Sequence, residues 1–141
     1  MTPDQIKLVQ QSFAKVAPIS EQAAELFYGR LFEIAPAVRA MFPNDMTEQR
    51  RKLMATLAIV VNGLSNLELV LPAAASLATR HVAYGAKPEH YPVVGSALLW
   101  TLEKGLGADW TPDVAEAWTT AYETLSGFMI AQAYGRPQAA E

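Results

Sequence analysis

No cysteine occurs among the 141 residues, which excludes disulfides, thiolate nucleophiles and zinc–sulfur sites. Histidine is nearly absent as well, with His81 and His90 the only two. A closed zinc site takes about four protein ligands and a catalytic one about three, and no HExxH or comparable spacing exists, so zinc chemistry has no support. Long apolar runs are missing. The most apolar stretch, Leu53 to Leu64, is interrupted by Asn62 and falls short of the roughly 20 residues that span a bilayer. The first residues, Met1-Thr2-Pro3-Asp4-Gln5, include no basic segment leading into an apolar run, so no secretory leader is predicted and a cytoplasmic location is expected. Positive charge is not in excess either. The net charge of −3 argues against nucleic acid as the main partner.

What the chain has in abundance is helical periodicity, while no segment alternates with period two. Ile6, Val9, Phe13 and Val16 share one helical face, as do Phe27, Leu31 and Ile34. Val114, Ala117, Trp118, Ala121, Leu125, Phe128 and Met129 form a broader stripe. Thr2-Pro3-Asp4-Gln5 reads as an N-cap, a proline at the first helical position and a capping-box partner, and Thr111-Pro112-Asp113 repeats the pattern. Pro18, Pro36, Pro72 and Pro88 stand before other periodic runs, Thr47-Glu48 opens a further helix, and Gly85, Gly105 and Gly107 read as helix stops. The pattern predicts helices near 3–16, 20–35, 47–64, 67–83, 88–105 and 112–134. A short helical turn is expected between Pro36 and Phe42, and a frayed tail over 136–141. No repeat, low-complexity segment or linker divides the chain. It reads as one all-α domain over 1–141.

His81 lies late in an otherwise apolar helix, with Leu77 and Ala74 one and two turns before it. Taken alone, such an imidazole is compatible with a core histidine or with a metal ligand. His90, just after Pro88-Glu89, reads as a solvated helix-terminus residue. A single imidazole suffices for a haem iron, because the porphyrin supplies the equatorial nitrogens. Gln49, Leu53 and Leu57 are four apart and share a helical face, and so do Val94 and Leu98. Tyr28 and Phe42, by residue type alone, are compatible with ordinary packing.

Several of these residues fall in a recognisable order. Tyr28 in Leu26-Phe27-Tyr28-Gly29-Arg30-Leu31-Phe32 precedes Pro36 and Phe42, with fourteen residues from Tyr28 to Phe42. Gln49 and Leu53 follow, and His81 comes 32 residues after Gln49. Then comes Lys87-Pro88-Glu89-His90-Tyr91-Pro92-Val93-Val94-Gly95. The ordered set resembles the globins, and within them the globin domain of bacterial flavohaemoglobins and single-domain haemoglobins, from Ile6 to about Tyr134. The resemblance implies a globin fold of six to eight helices around a haem pocket, with haem b as cofactor and His81 as the iron ligand. It implies that Tyr28 and Gln49 face the gas ligand. Phe42, Leu53, Leu57, Arg80, Tyr91, Val94 and Leu98 would contact the cofactor, with Arg50 and Lys52 as further candidates for its propionates. Trp100, Trp110 and Trp118 read as packing aromatics.

The resemblance also has gaps. Flavohaemoglobins continue into flavin- and nicotinamide-binding reductase domains, and this sequence contains no dinucleotide motif. A glutamate that pairs with the proximal histidine and with the tyrosine matched by Tyr91 is replaced here by Ala133, so His81 is expected to donate to a backbone carbonyl near Leu77. The implied function is tight, reversible oxygen binding for storage, scavenging or transport. The alternatives are nitric oxide dioxygenase chemistry with a separate reductase, which would make the protein an enzyme, and gas sensing. The implied partners are diatomic gases (oxygen, nitric oxide, carbon monoxide), with no nucleic acid and no membrane.

Overall fold

The computed structural model describes residues 1–83 and 87–134. Helix α1 runs Pro3–Val16, α2 Ser20–Ile34, α3 Thr47–Asn62, α4 Leu67–Ala83, α5 His90–Leu106 and α6 Pro112–Tyr134. Short 3-10 turns cover Ala17–Ile19, Pro36–Met41 and Gly107–Asp109. No strand occurs among the described residues. The fold is all-α, with six α-helices among the described residues. The expected stop at Gly85 and the tail 136–141 lie outside the described residues.

Local chemistry sets most boundaries. The Thr2 side chain accepts from Gln5 N at 3.1 Å while Gln5 Oε1 accepts from Thr2 N at 3.0 Å, closing a capping box on a helix with proline at its first turn. Thr111 Oγ1 accepts from Val114 N at 3.2 Å and caps α6 with that single bond. Helix α4 has the expected bounds, and Pro72, read as standing before a periodic run, sits inside it. The bounds of α5 differ from the expected 88–105 at both ends. Helix α5 starts at His90, because Pro88 belongs to the turn in which Tyr91 N donates to Pro88 O at 3.2 Å. The helix also passes through Gly105 and ends only at Leu106, where Gly107 adopts a φ of 55° that disfavours other residues.

Helix α2 packs on α5 and α3, while α6 packs on α4 and α1. Two side chains staple α1 to its neighbours. Trp118 Nε1 donates to the buried Ser12 Oγ at 2.8 Å, and Gln10 Nε2 donates to Val61 O at 3.0 Å. Helix α6 packs tightly on α5 at Gly95, where a Cβ would lie 2.6 Å from Tyr122 Cε2. That ring cannot swing aside freely, since Tyr122 Oη donates to Tyr91 O at 2.6 Å. Gly95→Ala should therefore destabilise the fold by about 1–3 kcal/mol through overpacking, outweighing the ~1 kcal/mol that alanine gains over glycine in a helix. Urea titration checks this, and an increased midpoint would show that the ring yields.

Candidate functional site

The buried apolar side chains form two separate clusters, and helix α5 contributes to both. The larger contains Tyr28, which α2 carries on its buried face. Gln49, in the first turn of α3, donates from Nε2 to Tyr28 Oη at 3.0 Å. Burial raises the pKa of the Tyr28 phenol above its ordinary value, with the Gln49 bond pulling the other way, so the hydroxyl keeps its proton at neutral pH. Aromatic rings surround it. Phe27 and Phe42 meet it edge-on with centroids 4.9 and 5.5 Å away, and Phe32 lies at 5.9 Å. Arg39 holds the segment that carries Phe42. Its guanidinium lies 5.1 Å from the Phe32 ring centre and donates to Phe42 O at 3.3 Å, Pro43 O at 2.9 Å and Asn44 O at 3.3 Å. Leu53, Leu57 and Val94 are half-buried against this cluster, and Leu98 is buried in it.

The smaller cluster joins Ala78, Tyr91 and Met129 with Leu77, Leu125, Ile130 and Ala133. The half-buried His81 ring stacks on Tyr91 at 6.2 Å and 28°. His81 Nδ1 lies 2.8 Å from Leu77 O, one turn back on α4. With that nitrogen donating to the carbonyl, the neutral ring carries its lone pair on Nε2. Tyr122 anchors the segment through its bond to Tyr91 O, and burial together with Tyr91 pushes its phenol far above the ordinary tyrosine range. His90 is placed differently. Its Nδ1 accepts from Lys87 N at 3.0 Å, at the very start of α5.

Arg80 and Lys52 are exposed. Arg50 is half-buried and lines a groove with Phe13 and Met54. Among the described residues no group of three or more His, Cys, Asp or Glu could hold a metal ion.

The sequence pattern of the Globin family matches residues 25–129. The chain belongs to the globin family. It is 34% identical over 128 residues to a flavohemoprotein of Rhodopirellula baltica, an alignment covering 89% of this chain and 31% of that protein. A flavohemoprotein of Xylella fastidiosa is 32% identical over 131 residues, covering 91% and 33%. This globin thus spans about a third of the length of these curated relatives. Among solved structures, a bacterial globin from Campylobacter jejuni superposes with a TM-score of 0.83 at 27% identity, covering 94% of this chain and 96% of that one.

The fold is the globin fold, and the protein is a haem-iron-binding, gas-binding globin. Its own donor set fits that cofactor. An imidazole with its lone pair on Nε2 and half-buried apolar side chains on α3 and α5 are what an iron porphyrin needs from a chain. No helix among the described residues is long and apolar enough to cross a membrane.

Three contributors were not singled out from the sequence. Phe32 completes the ring set around Tyr28, and its position four residues after Tyr28 was a usable signal. Arg39 and Tyr122 act by hydrogen bonds to backbone carbonyls, which leave no sequence pattern.

Proposed function

We propose that this globin binds oxygen tightly and reversibly and serves oxygen storage, scavenging or transport, as a single cytoplasmic domain over residues 1–141. The observation that carries the reading is the Gln49–Tyr28 hydrogen bond at a buried, protonated phenol. Haem b, when bound, supplies an iron that takes a diatomic gas. His81 would ligate that iron, while Phe42, Leu53, Leu57, Tyr91, Val94 and Leu98 would supply apolar contact and Arg80 a charge for a propionate. In this reading the Tyr28 O–H donates to the gas ligand, with Gln49 orienting it and offering a second N–H. Hydrogen bonds to a charged or partly charged acceptor contribute about 1.5–3 kcal/mol each, so a polar ligand is held longer than a nonpolar one. Absorption spectra of the ferric, ferrous and oxygen-equilibrated protein test this. The ferrous form should take up oxygen and release it on degassing, and prompt irreversible oxidation would contradict the reading.

Ala133, which packs as an apolar side chain in the smaller cluster, favours gas carriage over nitric oxide dioxygenase chemistry, because that position itself supplies a methyl group and not a carboxylate. A carboxylate partner makes a ligating imidazole a stronger donor. Ala133→Glu should therefore raise the iron–histidine stretching frequency in resonance Raman spectra and lower the reduction potential. An unshifted band, with the glutamate shown to reach His81, would contradict the role given to Ala133.

A further inference from the structure

The segment from Phe42 to Met46 joins the Pro36–Met41 turn to α3 outside any helix. Phe42 is extended, with φ −118° and ψ 154°, the region that a residue before proline favours. Pro43 brings no N–H, so the 3-10 pattern ends there. Among the described residues no backbone N–H donates to the carbonyls of Phe42, Pro43 or Asn44. Carbonyls in that position are satisfied by a side chain or by water. Arg39 supplies the side chain. Its Nη1 donates to Phe42 O at 3.3 Å and to Pro43 O at 2.9 Å, and its Nη2 donates to Asn44 O at 3.3 Å.

The same guanidinium lies over the Phe32 ring, 5.1 Å from its centre. Phe32 in turn packs on the Phe42 ring with centroids 5.5 Å apart, and Phe42 meets Tyr28 edge-on at 5.5 Å. One cation therefore holds the backbone of Phe42 and the ring beside it at once. The chemistry is specific to arginine. Its planar fork reaches several acceptors in fixed directions and stacks on an aromatic face, whereas the lysine ammonium is a compact, strongly hydrated point charge. Bonds from a charged donor are also stronger than those between neutral groups.

We propose that Arg39 is a positioning residue for the cofactor: by bonding the carbonyls of residues 42–44 it fixes the Phe42 ring against bound haem and so slows haem loss. The inference rests on the assignment of Phe42 to the cofactor. The test compares wild type, Arg39→Met, Arg39→Lys, Phe42→Ala and the Arg39→Met/Phe42→Ala double variant as purified haem proteins. The first readout is the rate of haem transfer to an excess of an acceptor apoglobin. Arg39→Met should lose haem about tenfold faster than wild type, and Arg39→Lys nearly as fast. Phe42→Ala should lose haem fast whether or not Arg39 is present, because Arg39 acts through the ring that is gone. The second readout is amide hydrogen exchange of the haem-loaded protein, which should quicken over 42–46 in Arg39→Met and not in α1. Circular dichroism and urea midpoints show that each variant is folded. Unchanged haem loss in Arg39→Met beside fast loss in Phe42→Ala would overturn the proposal alone. A wild-type rate in Arg39→Lys, or an equal effect of Arg39→Met with and without the Phe42 ring, would do the same. Slow loss in Phe42→Ala would remove Phe42 from the cofactor, and the proposal with it.

Discussion

His81→Ala is expected to abolish stable haem retention, while the same change at His90 leaves it intact. His81 Nδ1 faces Leu77 O at 2.8 Å, which directs the lone pair of the neutral ring to Nε2, whereas His90 Nδ1 is engaged by Lys87 N at the helix start. Loss of an outer partner of a metal ligand costs roughly 10–100-fold in metal affinity, and loss of the ligand itself should exceed that. Haem content and the Soret band after gel filtration report the effect. Circular dichroism separates ligand loss from misfolding, and free imidazole should restore part of the spectrum by entering the space left by the ring. A Soret band unchanged in His81→Ala would end the assignment.

Tyr28→Phe should speed oxygen release roughly ten- to hundredfold, because a bond of about 1.5–3 kcal/mol is lost and each 1.4 kcal/mol is tenfold. The substitution keeps the ring that packs against Phe27, Phe32 and Phe42, so stability should change little. Gln49→Leu should act in the same direction but less strongly. Its effect should not add to that of Tyr28→Phe, since Gln49 Nε2 is bonded to Tyr28 Oη itself. Stopped-flow displacement on the single and double variants measures both claims. Strict additivity would show that the two side chains act separately.

Much of this protein was legible from the sequence because its signals are local. The Thr2–Gln5 capping box and the Thr111 cap are read within a few residues, and both form. The stripe Gln49–Leu53–Leu57 follows from helical spacing alone. Boundaries set by tertiary context were less legible. Helix α5 starts two residues later than expected because Pro88 belongs to the preceding turn, and Gly105 continues α5 because a missing side chain does not by itself end a helix. The 3-10 turns at 17–19 and 107–109 join helices too closely for periodicity to resolve them.

At the candidate site the order of residues was visible, but its cross-helix chemistry was not. Gln49 and Tyr28 are 21 residues apart, and Tyr122 and Tyr91 are 31 apart, so neither bond has a local signature. The carbonyl of Leu77 could be anticipated, since position 77 lies one turn before His81 on the same helix.

The central claim is that a buried phenol, oriented by an amide, holds a polar gas ligand in a haem globin. The oxygen and carbon monoxide dissociation rates of wild type and Tyr28→Phe, measured side by side, test it most directly. Oxygen should leave the variant roughly ten- to hundredfold faster, with a much smaller change for carbon monoxide, whose bound dipole is weaker. Equal oxygen rates in the two proteins would make Tyr28 a packing residue and contradict the account.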